Sequence, residues 1–175
     1  MKRKLLPLTL LLSACSAFTP APLPVVYDLG PAPAEQIEAP VQLLDVSAPS
    51  WLDGVAMAYR LEYADSRQRQ TFRDSRWLAP PAELLAARLR QRLQARGEAR
   101  PLRIELESFE QDFSAPAQSE VRIRLRARLG GATVTERVFE ARLAGGAEAA
   151  SGVQALARAS DALTTEVLNW AAQAR

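Results

Sequence analysis

Residues 121–129 read Val121-Arg122-Ile123-Arg124-Leu125-Arg126-Ala127-Arg128-Leu129, with apolar and charged residues in strict alternation. Successive side chains of a strand point to opposite faces, so this stretch predicts a β-strand with one dry face and one charged face. Leu102, Ile104 and Leu106 alternate with Arg103, Glu105 and Glu107 in the same way, and residues 133–143, after Gly130-Gly131, make a third strand. A three-residue turn at 130–132 would set Ile123 opposite Phe139 and Val121 opposite Ala141. It would pair Arg126 with Glu136 and Arg122 with Glu140 outside. That register leaves Arg137 on the inner face near Leu125, which predicts a bulge or a sheet end there. The arginine stripe reads first as a solvated face neutralised by Glu105, Glu107, Glu136 and Glu140, and second as a platform for phosphate headgroups or an acidic partner.

Working outward, Pro80-Pro81 stands where a first helical turn tolerates missing amide hydrogens. Leu85, Leu89 and Leu93 then recur every four residues up to Gly97, so an amphipathic helix is expected. On the far side, Ala144-Gly145-Gly146 ends the third strand. Residues 151–173 repeat Val153, Leu156, Leu163, Val167 and Trp170 as a long alanine-rich helix. Upstream, Val25 to Leu29, closed by Gly30-Pro31, and Val41 to Val46 read as strands. Residues 55–63 and 67–72 form a hairpin about Ala64-Asp65-Ser66, bracketed by Trp51 and Trp77. Those two tryptophans are either core residues or exposed anchors for a partner. The order predicts an α+β (α/β two-layer) domain over residues 25–175, an antiparallel or mixed β-sheet with two helices packed on one face.

Residues 1–14 combine Lys2, Arg3 and Lys4 with an apolar run from Leu5 to Leu12, the layout of a signal peptide. The run is too short to cross a bilayer as a helix. Leu12-Ser13-Ala14-Cys15 resembles a lipobox, which makes Cys15 the lipidated first residue of the mature chain; two or more acyl chains give stable anchoring. An ordinary secretory signal or a core cysteine are the alternatives. Residues 15–24 are the lipidated N-terminus and a proline-rich tether, at ~3.1 Å per residue where extended. Ser16, where an Asp would signal inner-membrane retention, predicts the outer membrane, periplasmic face.

The charge balance changes sign with the signal: 22 Lys+Arg against 20 Asp+Glu become 19 against 20 once Lys2, Arg3 and Lys4 are removed. The basic character belongs to the signal, so no nucleic-acid partner is expected. The mature chain has no His and no Lys, and its single Cys is taken by lipid. It therefore lacks a His base, a His metal ligand and a Schiff-base or phosphate-loop Lys. Glu107 and Glu110 could form an acid/base pair, but no nucleophile, ligand set or phosphate loop stands near them in sequence. We expect no enzyme, no catalytic residue, no metal and no cofactor.

Several short pieces in order carry a resemblance: the lipobox, Tyr27-Asp28-Leu29-Gly30, Trp51-Leu52-Asp53 before Tyr59-Arg60, Arg76-Trp77 leading into the Pro80 helix, Phe109-Glu110-Gln111-Asp112 at a strand end, and the last helix with Trp170. Together they resemble the ABC-type transport auxiliary lipoprotein family, of the paraquat-inducible lipoprotein C type. Trp51 stands where members often have Tyr. The resemblance implies a non-catalytic outer-membrane lipoprotein that serves a transporter of an ATPase, a permease and an MCE-domain protein, moving lipid or another hydrophobic molecule across the envelope. Its implied partners are the MCE-domain component, the outer membrane and further copies of itself in a ring. An envelope-assembly or structural lipoprotein, a chaperone for an outer-membrane protein without a transport role, is the second reading.

Overall fold

In a computed structural model of the chain the described residues are 23–174; residues 1–14, read above as a signal, Cys15 and Ser16 lie outside them. The order is β1 (Val25–Tyr27), β2 (Ile37–Ser47), a 3-10 turn (Ser50–Leu52), β3 (Ala56–Leu61), α1 (Glu62–Asp65), β4 (Arg69–Trp77), α2 (Pro81–Arg92), β5 (Leu93–Ala115), β6 (Gln118–Leu129), β7 (Thr135–Ala144) and α3 (Ala149–Gln173). Seven strands form one mixed, open sheet ordered β1-β4-β3-β5-β6-β7, with β2 beside the first half of β5. The β3–β4, β5–β6 and β6–β7 pairs are antiparallel; β1–β4, β2–β5 and β3–β5 are parallel. The fold is α+β, with three α-helices among the described residues, of which α1 is a single turn. No helix among the described residues is long and apolar enough to cross a membrane.

The alternation of β6 is realised in full: Val121, Ile123, Leu125, Ala127 and Leu129 are buried. The partner register differs from the expected one by two residues. Ile123 faces Ala141, Leu125 faces Phe139, Arg124 faces Glu140 and Arg128 faces Glu136. The connection is longer than three residues, with β7 beginning only at Thr135. A slip of two keeps every side chain on its expected face. Arg137 lies opposite Ala127 with no bulge; β7 is an edge strand, and the guanidinium sits 5.0 Å from the Phe139 ring.

Two boundaries move because pairing overrides local pattern. Leu93 continues the leucine spacing of α2 yet starts β5, held in parallel register with Ile37. Residues 96–99 of β5 then pass opposite Pro40 alone, since Ala39 pairs with Ala95 and Val41 with Arg100. Proline offers no amide hydrogen to the ladder, and Gly97 takes the left-handed conformation (φ 70°) that this detour needs. On its other edge β5 carries a bulge between Leu106 and Ser108. Before it Leu102, Ile104 and Leu106 point into the core; after it Phe109, Gln111 and Phe113 do, and Glu110 and Asp112 turn to the charged face. The Phe109 to Asp112 run is therefore mid-strand rather than a strand end.

Edge-to-face aromatic pairs tie the core together, Trp77 with Phe109 within the sheet (5.4 Å between centroids) and Phe139 with Trp170 between sheet and helix (5.6 Å). Helix α3 packs on β2, β6 and β7, and α2 on β2 and β5. Gly152 of α3 lies where a Cβ would run into the buried Gln111 side chain. Gln111 Nε2 in turn donates to Ser119 Oγ (2.8 Å) and to the Gly146 carbonyl (3.1 Å), tying the strand to the turn before α3.

Candidate functional site

Of the two tryptophans offered as partner anchors, only Trp51 reaches solvent. It is 48% exposed, whereas Trp77 is 2% exposed and packs on Phe109. That corrects the expectation for Trp77: the residue ends β4 instead of following it, and the parity of the strand turns it into the core. Trp51 is presented by the 3-10 turn, whose next residue, Leu52, is buried and donates its amide hydrogen to the Pro49 carbonyl (2.8 Å). An anchored neighbour thus holds the indole in place at the surface.

The guanidinium of Arg69 lies 3.6 Å from the centre of the Trp51 ring. Arg69 stands directly opposite Arg60 across the β3–β4 pair, a juxtaposition of like charges that costs stability unless a carboxylate intervenes. Glu110 does so. Its Oε2 accepts from Arg69 Nε (2.9 Å) and Arg60 Nε (3.1 Å), and its Oε1 from Arg122 Nη2 (2.8 Å). Burial by itself raises the Glu110 carboxyl, but Arg69, Arg60 and Arg122 outweigh it and hold the group below the usual carboxylate range. Asp112, two residues further along β5 and 3% exposed, has the opposite balance. Burial pushes it up to about 6; Arg122, 3.1 Å away, offsets only part of this, and Glu110 and Glu62 add to the rise. Its Oδ1 has no hydrogen-bond partner among the described residues.

Beyond Arg122 the same face is an alternating ion-pair lattice. Arg124 bonds Glu107 (2.7 Å) and Glu140 (2.9 Å), Arg126 bonds Glu107 (3.0 Å) and Glu136 (2.5 Å), Arg128 bonds Glu136 (2.6 Å), and Arg142 bonds Glu140 and Glu120 (both 2.7 Å). The first reading of the arginine stripe, a solvated face neutralised by its own carboxylates, describes this part. The same geometry separates Glu107 from Glu110: one serves Arg124 and Arg126, the other Arg60, Arg69 and Arg122, so they do not form an acid/base pair.

Two further buried arginines escape a sequence reading because i, i+4 charges on a helix usually face water. Arg88 and Arg92 of α2 are each 2% exposed. Arg88 Nη2 donates to the carbonyls of Leu29 and Gly30 (2.5 and 3.0 Å), and its other terminal nitrogen pairs with Asp161 of α3 (3.2 Å). Arg92 Nε donates to the Glu35 carbonyl (2.5 Å). They clamp the proline-rich loop after β1 onto the two long helices. Beside that loop an open apolar groove of about 360 Å³ runs between β1 and α3, walled by Val26, Leu29, Leu78, Val153 and Ala157. The Cys15 position lies outside the described residues, and no group of three or more His, Cys, Asp or Glu side chains placed to hold a metal occurs among them.

No family model matches the chain, and no curated protein matches it. Solved structures do. One is the crystal structure of a Xanthomonas campestris protein described under family model DUF330, at 20% identity with a TM-score of 0.69, covering 85% of this chain and 95% of that one. Another is the crystal structure of an uncharacterized protein at 15% identity, with a TM-score of 0.67 and coverage of 85% and 98%. At these identities the likeness is one of fold: the chain shares, over nearly the whole length of both, the architecture of these two proteins.

Proposed function

We propose that this chain is a non-catalytic lipoprotein of the outer membrane, anchored through Cys15, that serves as the auxiliary docking component of an ABC/MCE-type transporter of lipid or another hydrophobic molecule. In this reading both long helices cover the sheet face turned away from Trp51, and the Trp51 side of the charged face meets the periplasmic part of the MCE-domain partner. A ring of copies would multiply the contact. The observation that carries the docking role is the pairing of a half-exposed Trp51 with an Arg69 whose orientation is set by buried Glu110. Aromatic and arginine side chains held rigidly at a surface are the ones that concentrate binding energy in protein interfaces. The lipobox and the tether supply the location.

A photo-crosslinking amino acid placed at the exposed position of Asp53, beside Trp51, in cells fed labelled palmitate tests the whole reading. We expect an adduct with the MCE-domain component in the outer-membrane fraction, carrying label in the wild-type background and none in Cys15→Ala. An adduct with an outer-membrane assembly protein instead would move the chain to the envelope-assembly role, and an unlabelled wild-type chain would remove the anchor.

A further inference from the structure

The charged face is not uniform. Arg124, Arg126, Arg128 and Arg142 are each matched by carboxylates of their own or neighbouring strands, whereas the β3–β4 side, which carries Trp51, pairs its arginines and carboxylates unevenly. There Arg60, Arg69 and Arg122 share the buried Glu110 and Asp112, with Glu62 of α1 near Asp112. Arg76, opposite Ala56 and on the same strand as Arg69, is exposed and forms no ion pair among the described residues. Asp65, in the β3–β4 connection, is satisfied by Arg67 and offers nothing to the cluster.

Glu110 takes a single nitrogen from each of its three arginines. Arg60 spends a second nitrogen on the Ser66 carbonyl and Arg122 one on Asp112, whereas both terminal nitrogens of Arg69 are without a partner among the described residues, in a plane fixed by a buried acceptor and by the Trp51 ring. We infer that the Trp51–Arg69–Arg76 side of the sheet is a carboxylate-binding surface, which docks an acidic loop of a protein partner. Planar forks held in one orientation match carboxylates, which they bind two nitrogens at a time. A membrane surface is served instead by mobile, dispersed cations, and the mature chain contains no lysine. The inference rests on the docking reading and adds to it the chemistry of what docks.

The purified chain, titrated with a fluorescein-labelled peptide of six glutamates and with one of six glutamines at roughly physiological ionic strength, tests it. Binding of the acidic peptide should be at least tenfold tighter. Arg69→Gln and Arg76→Gln should each weaken it several-fold; the second touches none of the Glu110 bonds, so its effect does not depend on the cluster's integrity. Arg128→Gln, inside the balanced lattice, should leave it unchanged. Equal binding of the two peptides, an Arg128→Gln loss as large as that of Arg76→Gln, or binding to phosphatidylglycerol vesicles without binding to the acidic peptide would overturn the inference. The peptide assay needs no transporter, so a chain that binds six glutamates but no MCE-domain protein would reject the docking partner and leave the acidic-loop chemistry standing.

Discussion

Asp112 is the residue whose environment is least favourable to its charge. Burial dominates, so its folded carboxyl titrates at about 6 against an ordinary value of 3.8. Between those values the folded chain holds a proton that the unfolded chain has released, and stability falls as pH rises through that window. The neutral Asp112→Asn should therefore raise the unfolding temperature at pH 8, by up to ~3 kcal/mol of stability, with the gain fading towards pH 4. Thermal unfolding across pH checks this; a variant less stable than wild type at pH 8 would mean that the Arg122 contact outweighs burial. Neither this residue nor its cluster was legible in the sequence. Glu110 and Asp112 reach the charged face only because the Leu106/Ser108 bulge reverses the parity of β5, and Arg60 meets them through a parallel β3–β5 pairing between segments 50 residues apart. Trp77 is no anchor for a related reason: one more strand residue turns a side chain from solvent to core.

At the scale of elements, strands with one buried face were readable and their exact partners were not. The β6 alternation implied its own burial, since five apolar side chains at every second position have one place to go. Its register with β7 depends on the length of the turn after Leu129, which composition does not encode, and the two-residue difference still brings Arg126 onto Glu136 diagonally (2.5 Å). The end of α2 is hidden because Leu93 suits either helix stripe or strand, and only pairing with Ile37 decides. The faces themselves make a sharp prediction. Phe139 is buried against Trp170, so Phe139→Ala should cost ~3–5 kcal/mol. Glu136, in a partly exposed and solvent-screened ion-pair lattice, should lose far less on change to Ala. Chemical denaturation of both variants compares them directly, and equal losses would contradict the assignment of faces.

For the molecule as a whole, the sheet divides the labour between a face packed on apolar contacts and a face of ion pairs, and the β3–β4 side of the latter carries an exposed aromatic stacked with the Arg69 guanidinium. The chain has no His, its lysines are confined to Lys2 and Lys4, and the N-terminal motif is the address we propose for it. The architecture, shared with two solved structures of low identity, adds a rigid surface without naming what it meets. The central claim, that this surface docks an MCE-domain partner through Trp51, is tested most directly by the affinity of the purified chain for the purified periplasmic region of that partner. The account predicts saturable binding that weakens at least tenfold, about 1.4 kcal/mol or more, on Trp51→Ala and stays within about twofold on Arg124→Glu. No binding by the wild type, or a strong loss from a folded Arg124→Glu with Trp51→Ala silent, would contradict it.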